Sequence, residues 1–579
     1  HAQIHDADTG AALATLAARD ERYASGQIGV TAPQDHQMSP RVRLAMLSSR
    51  VACEQLPELG QVEDPPERFV TLPAALFDNL DRQTSSGLFE VERVGARVTA
   101  RTDVLGLERL HCAGVALGEV GVEVPWKYLD REYLRYRDLG PVRDGYGGFR
   151  ADLAPKTPRM VEAMLKALHR AHPAHTRIVE IGRSRRGRKL LAMAIAKDLD
   201  PQDKRPAILL NGAHHGDEPS STDITLDAAA QLLTAQARGD TEATRWMESL
   251  VVWVVPQVNP DGALNFLERS RRAGRKNGHD SARDGVEVWE RREGVDLNRN
   301  YPFRFGSVPE DEGSSPDPLH DHYRGAGPAS EPETRAMLRL FEAERFVASI
   351  SYHSGTVCVL APYTIPGTAD PEPNEAWAVA HELTSKMPRH PEGRPFVLKR
   401  SLYPVDGTDQ DTFRHRYGTL ALLVEAARFS PRTACQRRAV IEANRPSWRL
   451  LLRRTLDGPF VYGRVVDASG RPVRAVVRLG EQVLPNGEVW ETRARDGAFG
   501  RYVKAPGALK LEVTVEGRPV VREVVGVGGT ATRVEVVLPF EVERGGIARN
   551  QGRPSQTVPR STPRSPGPRA AETTPAPRH

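Results

Sequence analysis

Ala207-Ile-Leu-Leu-Asn211-Gly-Ala-His-His215-Gly-Asp-Glu218-Pro219 is the stretch on which the reading of this chain turns. Four apolar residues in a row predict a short strand buried on both faces, as in a sheet covered by helices on each side. The Gly-rich run that follows predicts a turn, and Pro219 is suited to the first position of a helix. His215 and Glu218, three residues apart at the end of that strand, can converge on one metal ion. By itself the pair is weak, because a loop histidine beside a helix-start acid is usually a surface or capping pair.

Outward from this stretch the same pattern repeats. Val251-Val-Trp-Val-Val255, Val347-Ala-Ser-Ile350 and Leu420-Ala-Leu-Leu-Val424 are further apolar strands separated by helical segments. Thr157-Pro158 reads as a cap and proline opening a helix with Val161, Leu165 and Leu168 on one face, and Ser330-Glu-Pro-Glu333 as a capping box. Residues 146–456 are therefore expected to be an α/β domain, a mixed sheet covered by helices on both faces. From 459 to 540 the helices stop, and Val-rich alternation with Gly/Pro turns predicts a small all-β sandwich. Residues 544–579, rich in Pro, Ser, Thr and Arg, are expected to be disordered. Residues 1–145 form a mixed region of no assigned function. It opens with an Ala-rich stretch expected to be helical, and carries paired strands over Leu88–Val94 and Val98–Thr102.

Length and charge set further bounds. A chain of 579 residues is too long for one core. The formal charge of +5 is a property of the tail: seven Arg against Glu572 after residue 543 leave the rest close to neutral. That tail has no aromatic residue to stack on a base, so no nucleic-acid partner is expected. No apolar run approaches the eighteen residues of a membrane span. The chain opens at His1 without a charged-then-apolar leader, and a processed form, secreted or periplasmic, is expected. Of the four cysteines, Cys358 follows an apolar strand and reads as a core thiol. Cys53, Cys112 and Cys435 leave disulfides open.

A catalytic zinc takes three His or carboxylate ligands and keeps one position open for water, so His215 and Glu218 need a third. His353 ends another apolar strand and is the candidate. Glu425 ends the strand from Leu420; an acid there is costly unless used or paired, and its options are a general base or a salt bridge to Arg428. Gly274-Arg275 and Gly294-Val-Asp-Leu-Asn298-Arg299 lie between, and a planar Arg fork suits a carboxylate or an oxyanion.

Together these segments resemble the zinc carboxypeptidases, the family of carboxypeptidases A and B and the N/E-type enzymes. The likeness runs in order through His215-x-x-Glu218, Val258-Asn-Pro-Asp-Gly262, Gly274-Arg275, Gly294–Arg299, Glu331-Pro-Glu-Thr334, His353-Ser354 and Glu425. Tyr403 precedes Glu425 by the 22 residues the family keeps between its mobile tyrosine and its glutamate.

The resemblance implies one zinc per chain on His215, Glu218 and His353, with Glu425 taking a proton from the attacking water. It implies that Arg275 holds the oxyanion, that Asn298 and Arg299 grip the terminal carboxylate, and that Tyr403 closes over it. Gln410 would sit in the side-chain pocket with Thr364, flanked by Asp409 and Asp411, and neutral terminal side chains of moderate size are expected. The partners implied are peptide or protein C-termini, and the expected state is a monomer. Gly463-x-Val-x-Asp-x-x-Gly-x-Pro-Val resembles the transthyretin-like domain of the N/E branch. Two departures stand out: 277–293 is long and charged, and His353 is followed by Ser-Gly-Thr-Val-Cys. The same zinc site acting on cell-wall peptides or polyglutamate chains, and an inactive binding module, are the competing expectations.

Overall fold

The computed structural model describes residues 155–542 apart from 201–202, 270–272, 284, 286–291, 310–311, 392, 429 and 432–433. Before residue 155 it describes 68–80, 88–94, 96–102 and 110, and the backbone of 2–6, 12–16 and 42–45. The tail 544–579, Cys53, Cys112, the side chain of Cys435, and residues 284 and 286–291 of the long charged segment lie outside the described residues.

Eight strands make the central sheet: β1 Thr176–Arg183, β2 Lys189–Ile195, β3 Ala207–Gly212, β4 Val251–Val255, β5 Ala348–His353, β6 Thr356–Leu360, β7 Val397–Lys399 and β8 Leu420–Ala427. Their spatial order is β7-β6-β8-β5-β3-β4-β2-β1. The inner four, β8-β5-β3-β4, run parallel, and β2 and β6 pair antiparallel at either side. Seven helices pack on this sheet: α1 Pro158–Ala171, α2 Pro219–Ala237, α3 Thr241–Ser249, α4 Pro332–Glu344, α5 Glu375–Lys386, α6 Asp409–Tyr417 and α7 Ala434–Asp457.

Apolar residues alternate between the two faces, which is why the strands read as continuous apolar runs. Ile208, Leu210, Val252 and Val254 pack with α1, α2, α3, α5 and α7, whereas Leu209, Val251, Trp253 and Val255 pack with α4 and α6. Each such side chain, once fully buried, stabilises the fold by roughly 1.5–3 kcal/mol. The sheet is thus a stiff frame for whatever its strand ends carry. From β3 the chain returns through α2 and α3 to β4 on one side, while β5 lies on the other. The crevice at the ends of β3 and β5 is therefore a topological switch point, where open α/β sheets place their sites.

Thr157 caps α1 as expected, its hydroxyl accepting from the Met160 amide at 3.4 Å. The capping box at Ser330 does not form. Helix α4 begins at Pro332 after Glu331, without a side-chain cap, and Ser330 Oγ is held between Asn300 Nδ2 and Glu331. The Glu333 carboxylate instead accepts from the Arg185 amide at 2.8 Å, a long-range bond that outcompetes the local one. The Ala-rich opening is also not helical: Ala2–Asp6 pairs with Ala12–Leu16 and Val42–Ala45 in a three-stranded sheet. Alanine's helix propensity is a weak prior that non-local pairing overrides. Phe89–Val94 and Arg97–Thr102 do pair antiparallel, joined by Arg68–Pro73.

Past α7 the described residues form β-strands: β9 Phe460–Val466, β10 Val476–Leu479, β11 Ala498–Tyr502, β12 Gly507–Val515, β13 Arg518–Val527 and β14 Thr532–Val537. They form two three-stranded sheets, β11-β9-β14 and β10-β12-β13. Among the described residues, no helix is long and apolar enough to cross a membrane.

Candidate active site and metal centre

Strand register brings the predicted groups together. His353, the last residue of β5, lies beside Glu425 in β8, and Tyr352 beside Gly212 at the end of β3. The turn after Gly212 carries His214 and His215. It is pressed onto residues 259–263 so closely that a Cβ on Gly216 would lie 2.1 Å from the Ala263 nitrogen. Asn259 fastens it further: its Nδ2 lies 3.2 Å from both the His214 and Arg275 carbonyls, and its Oδ1 accepts from the Gly262 amide at 2.8 Å.

His215, Glu218 and His353 converge, all three buried, each with a ligand atom within 4.8 Å of the others. Glu218 precedes α2 but makes no capping bond, so its carboxylate is free for other use. Its Oε1 is 2.8 Å from His215 Nδ1, its Oε2 is 3.1 Å from His353 Nδ1, and the two Nδ1 atoms are 3.2 Å apart. Zinc bonds of about 2.0–2.1 Å in tetrahedral geometry put neighbouring ligand atoms about 3.3 Å apart. The donor set and its spacing therefore fit a zinc ion. The Ser354 amide also donates to Glu218 Oε2 at 2.9 Å, fixing the carboxylate. Burial alone would raise the Glu218 carboxyl; His215 and His353 overcome it and hold it well below the usual carboxylate range.

One residue of the centre escaped the sequence reading. Asp296, fully buried, accepts from His215 Nε2 at 3.1 Å and from Arg275 Nε and Nη2 at 3.1 and 2.7 Å, and its Oδ1 accepts from the Asn298 amide. It orients the His215 ring so that Nδ1 faces Glu218 and His353. The signal was an acid between Val295 and Leu297, both of which are buried. Arg275 reaches the same point from the open side, Nη1 lying 3.3 Å from His215 Nδ1. Burial disfavours its charge, but Asp296 holds it charged.

Glu425 is half-buried, and its Oε2 is one of the buried oxygens without a hydrogen-bond partner among the described residues. Burial and then Glu218 push its carboxyl up to about 7. Gly355 lies against it, and a Cβ there would stand in ordinary contact, 3.6 Å from Oε2.

Asn298 and Arg299 are buried in a short turn after Asp296. Asn298 Oδ1 accepts from the Asp409 amide at 2.8 Å, tying this turn to the start of α6. Arg299 donates to the Gly313 and Asn298 carbonyls at 2.7 and 2.8 Å, and its Nη2 donates to Tyr403 Oη at 2.8 Å. Tyr403 is 41% exposed, well placed to move. The His322 ring lies parallel to it at 6.2 Å, a contact between segments 81 residues apart that no local pattern records.

Gln410 and Thr364 do meet: Gln410 Nε2 donates to Thr364 Oγ1 at 3.0 Å, and Gln410 Oε1 is buried without a partner among the described residues. Neither flanking acid takes its place. Asp411 accepts from the Thr364 and Ile365 amides, both at 2.9 Å, and from the Thr364 hydroxyl; Asp409 faces His214 at 3.7 Å. Cys358 is a buried free thiol opposite Glu425, its pKa pushed up to about 12 by burial.

Residues 161–430 match the family model described as zinc carboxypeptidase. Metallocarboxypeptidase A of Trichophyton tonsurans is 29% identical over 240 residues, which is 40% of this chain and 54% of that protein. Human carboxypeptidase Z is 25% identical over 444 residues, 67% of this chain and 65% of that protein. Among solved structures, thrombin activatable fibrinolysis inhibitor gives a TM-score of 0.49 at 17% identity, covering 67% of this chain and 98% of its own. The chain spans about half the length of the first of these curated relatives. With the match spanning β3, β5, β8 and the His-Glu-His centre at the ends of β3 and β5, residues 161–430 are a zinc carboxypeptidase domain.

Proposed function

We propose that this protein is a metallocarboxypeptidase that binds one zinc per chain and hydrolyses the last amide bond of a peptide or protein with a free C-terminus. The observation that carries the reading is the convergence of His215, Glu218 and His353, with an unpartnered Glu425 oxygen one strand away. Zinc, when bound, polarises the scissile carbonyl and lowers the pKa of a water molecule. Glu425 takes the proton of the attacking water and returns it to the leaving amine. Arg275, charged and aimed at the metal position, stabilises the negative oxygen that develops on the carbonyl. Arg299, with Asn298 beside it, binds the terminal carboxylate through its guanidinium fork, and Tyr403 swings from Arg299 to cover it.

Gln410 offers a neutral acceptor, Oε1, to the terminal side chain, and the bonds of Asp411 to residues 364 and 365 keep its charge out of that space. Neutral side chains of moderate size are therefore favoured over Lys or Arg, whose unpaired cation would be costly there. We assign 146–456 to this catalytic domain and 459–540 to a transthyretin-like β-domain, in keeping with the two small sheets after α7.

The test is a matched series of peptides ending in Leu, Phe, Gln, Lys and Arg, as free acids and as C-terminal amides, with and without a chelator. Zinc-dependent release of one terminal residue from the acids is expected. Internal cleavage, or equal rates on acids and amides, would reject the exopeptidase reading. A tenfold preference for Lys and Arg, removed by Asp409→Asn or Asp411→Asn, would reject the neutral pocket.

A further inference from the structure

We infer that segment 482–490, in the connection between β10 and β11, sets the side-chain selectivity of the catalytic domain, with Glu488 as the positioning residue. The inference rests on the proposed carboxypeptidase reading, in which Thr364 and Gln410 meet the terminal side chain. Those two residues come from separate elements, the loop after β6 and the first turn of α6, and both are braced from behind by this one segment.

On the loop side, Tyr363, adjacent to Thr364, donates its hydroxyl to Glu488 Oε1 at 2.8 Å. Asn486 Nδ2 donates to the Ala369 carbonyl at 2.7 Å, and Glu372 and Val483 exchange backbone bonds of 3.1 and 2.8 Å. On the helix side, Trp490 Nε1 donates to the His415 carbonyl at 3.2 Å, and the Arg414 guanidinium lies 4.6 Å from the Trp490 ring centre. Trp490 packs against the end of α6 so closely that a Cβ on Gly418 would come within 2.6 Å of its ring.

Glu488 is 2% exposed and Tyr363 3%. A carboxylate buried to that degree is tolerated only because donors meet it. Asn486 supplies two, its backbone amide at 2.8 Å and its side chain at 2.9 Å, so the acid is preset before it receives Tyr363. The Tyr363 ring in turn fixes the backbone of Thr364, whose hydroxyl accepts from Gln410 and donates to Asp411. Nothing in this chain of contacts touches His215, Glu218, His353 or Glu425. Loosening it should therefore change which side chain fits and leave chemical competence alone.

The experiment compares the full zinc-loaded chain with Glu488→Ala, Glu488→Gln, Tyr363→Phe and the Glu488→Ala/Tyr363→Phe double variant. The readout is the ratio of kcat/KM for matched peptides ending in Leu and in Ala, with zinc content measured alongside. Each of Glu488→Ala and Tyr363→Phe should shift that ratio about 3- to 10-fold, the size of one hydrogen bond's net contribution. The shift should appear in KM for the larger side chain, with kcat on the Ala peptide within about twofold of the parent. The double variant should go no further than either single one, and Glu488→Gln, which keeps an acceptor for Tyr363 but loses the bond from the Asn486 amide, should fall between the parent and Glu488→Ala. Should Glu488→Ala fail to fold, Tyr363→Phe, lacking one hydroxyl, carries the test. An active parent whose ratio stays within twofold in both single variants, or equal losses on both peptides, overturns the inference alone. A zinc-loaded parent that releases no terminal residue overturns the carboxypeptidase reading and this inference with it.

Discussion

Replacing Asp296 with Asn changes one atom and one charge where the metal ligands meet the arginines. The carboxylate accepts from His215 Nε2 at 3.1 Å through Oδ1, and from Arg275 Nη2 at 2.7 Å and Nε at 3.1 Å through Oδ2. Asn keeps one acceptor, so its amide NH2 must face either the His215 N–H or the guanidinium, donor against donor. If it turns toward His215, the ring loses its orientation and its basicity as a ligand. Partners of this kind are typically worth about 10- to 100-fold in metal affinity, or about 1.4–2.8 kcal/mol. If it turns toward Arg275, a half-buried cation loses its partner, at about 1.5–3 kcal/mol for a charge-assisted bond. Either way zinc affinity should fall by at least about tenfold, because both outcomes place uncompensated positive charge beside the metal position. The assay is competition for zinc against a chromophoric chelator, with thermal unfolding of the zinc-free forms measured in parallel. Affinity within twofold of the parent, in a variant of unchanged metal-free stability, would refute the orienting role of Asp296. Lower stability with unchanged affinity would reduce it to a structural ion pair.

Three further outcomes are expected. Glu425→Gln should lower kcat by about 10²- to 10⁴-fold while zinc content stays at one per chain, as befits loss of a general base; metal loss would make Glu425 a ligand instead. Arg299→Ala should impair hydrolysis of a free-acid peptide far more than internal or C-terminal-amide cleavage, and equal losses on both would count against a carboxylate clamp. Zinc binding should depend on pH in a definite sense. Before metal enters, burial and Arg275 pull the His215 pKa down while Glu218 and Asp296 raise it to about 9, and zinc takes only the neutral ring. Apparent affinity should then climb about tenfold per pH unit from 7 to about 9 and level off, whereas an ordinary histidine would level near 6.5. A flat profile above pH 7 would contradict the charged ring.

What could be read from the sequence depended on how locally each feature is determined. β3, β4, β5 and β8 were legible because burial on both faces leaves continuous apolar runs, and His215, Glu218, His353 and Glu425 because they sit where such runs end. The Ser330 capping box had the right spacing but failed because Glu333 finds a donor 148 residues away in the Arg185 amide. Asp411 could not be oriented from sequence either, since its direction is set by amides at 364 and 365 on another element. The bracing by Glu488 and Trp490 lies between parts of the chain more than 70 residues apart, and no periodicity records such contacts.

The charges around the metal position follow a logic that no single residue carries. Glu218, Asp296 and Glu425 bring three carboxylates, and Arg275 and Arg299 two guanidinium groups, into a space closed by strands and by the turn on residues 259–263. Burial and then Glu218 raise the Asp217 carboxyl, disfavouring a further charge there. Zinc takes both histidines in their neutral form, so in the loaded site, with Glu425 ionised, these five groups contribute one net negative charge. A divalent zinc turns that excess into one positive charge, and a substrate carrying one terminal carboxylate brings the assembly to neutrality. An amidated or internal peptide segment does not. Charge balance thus favours the free C-terminus independently of the geometry of Arg299. The preference for acids over amides should therefore survive in part in Arg299→Lys, which keeps the charge and loses the fork.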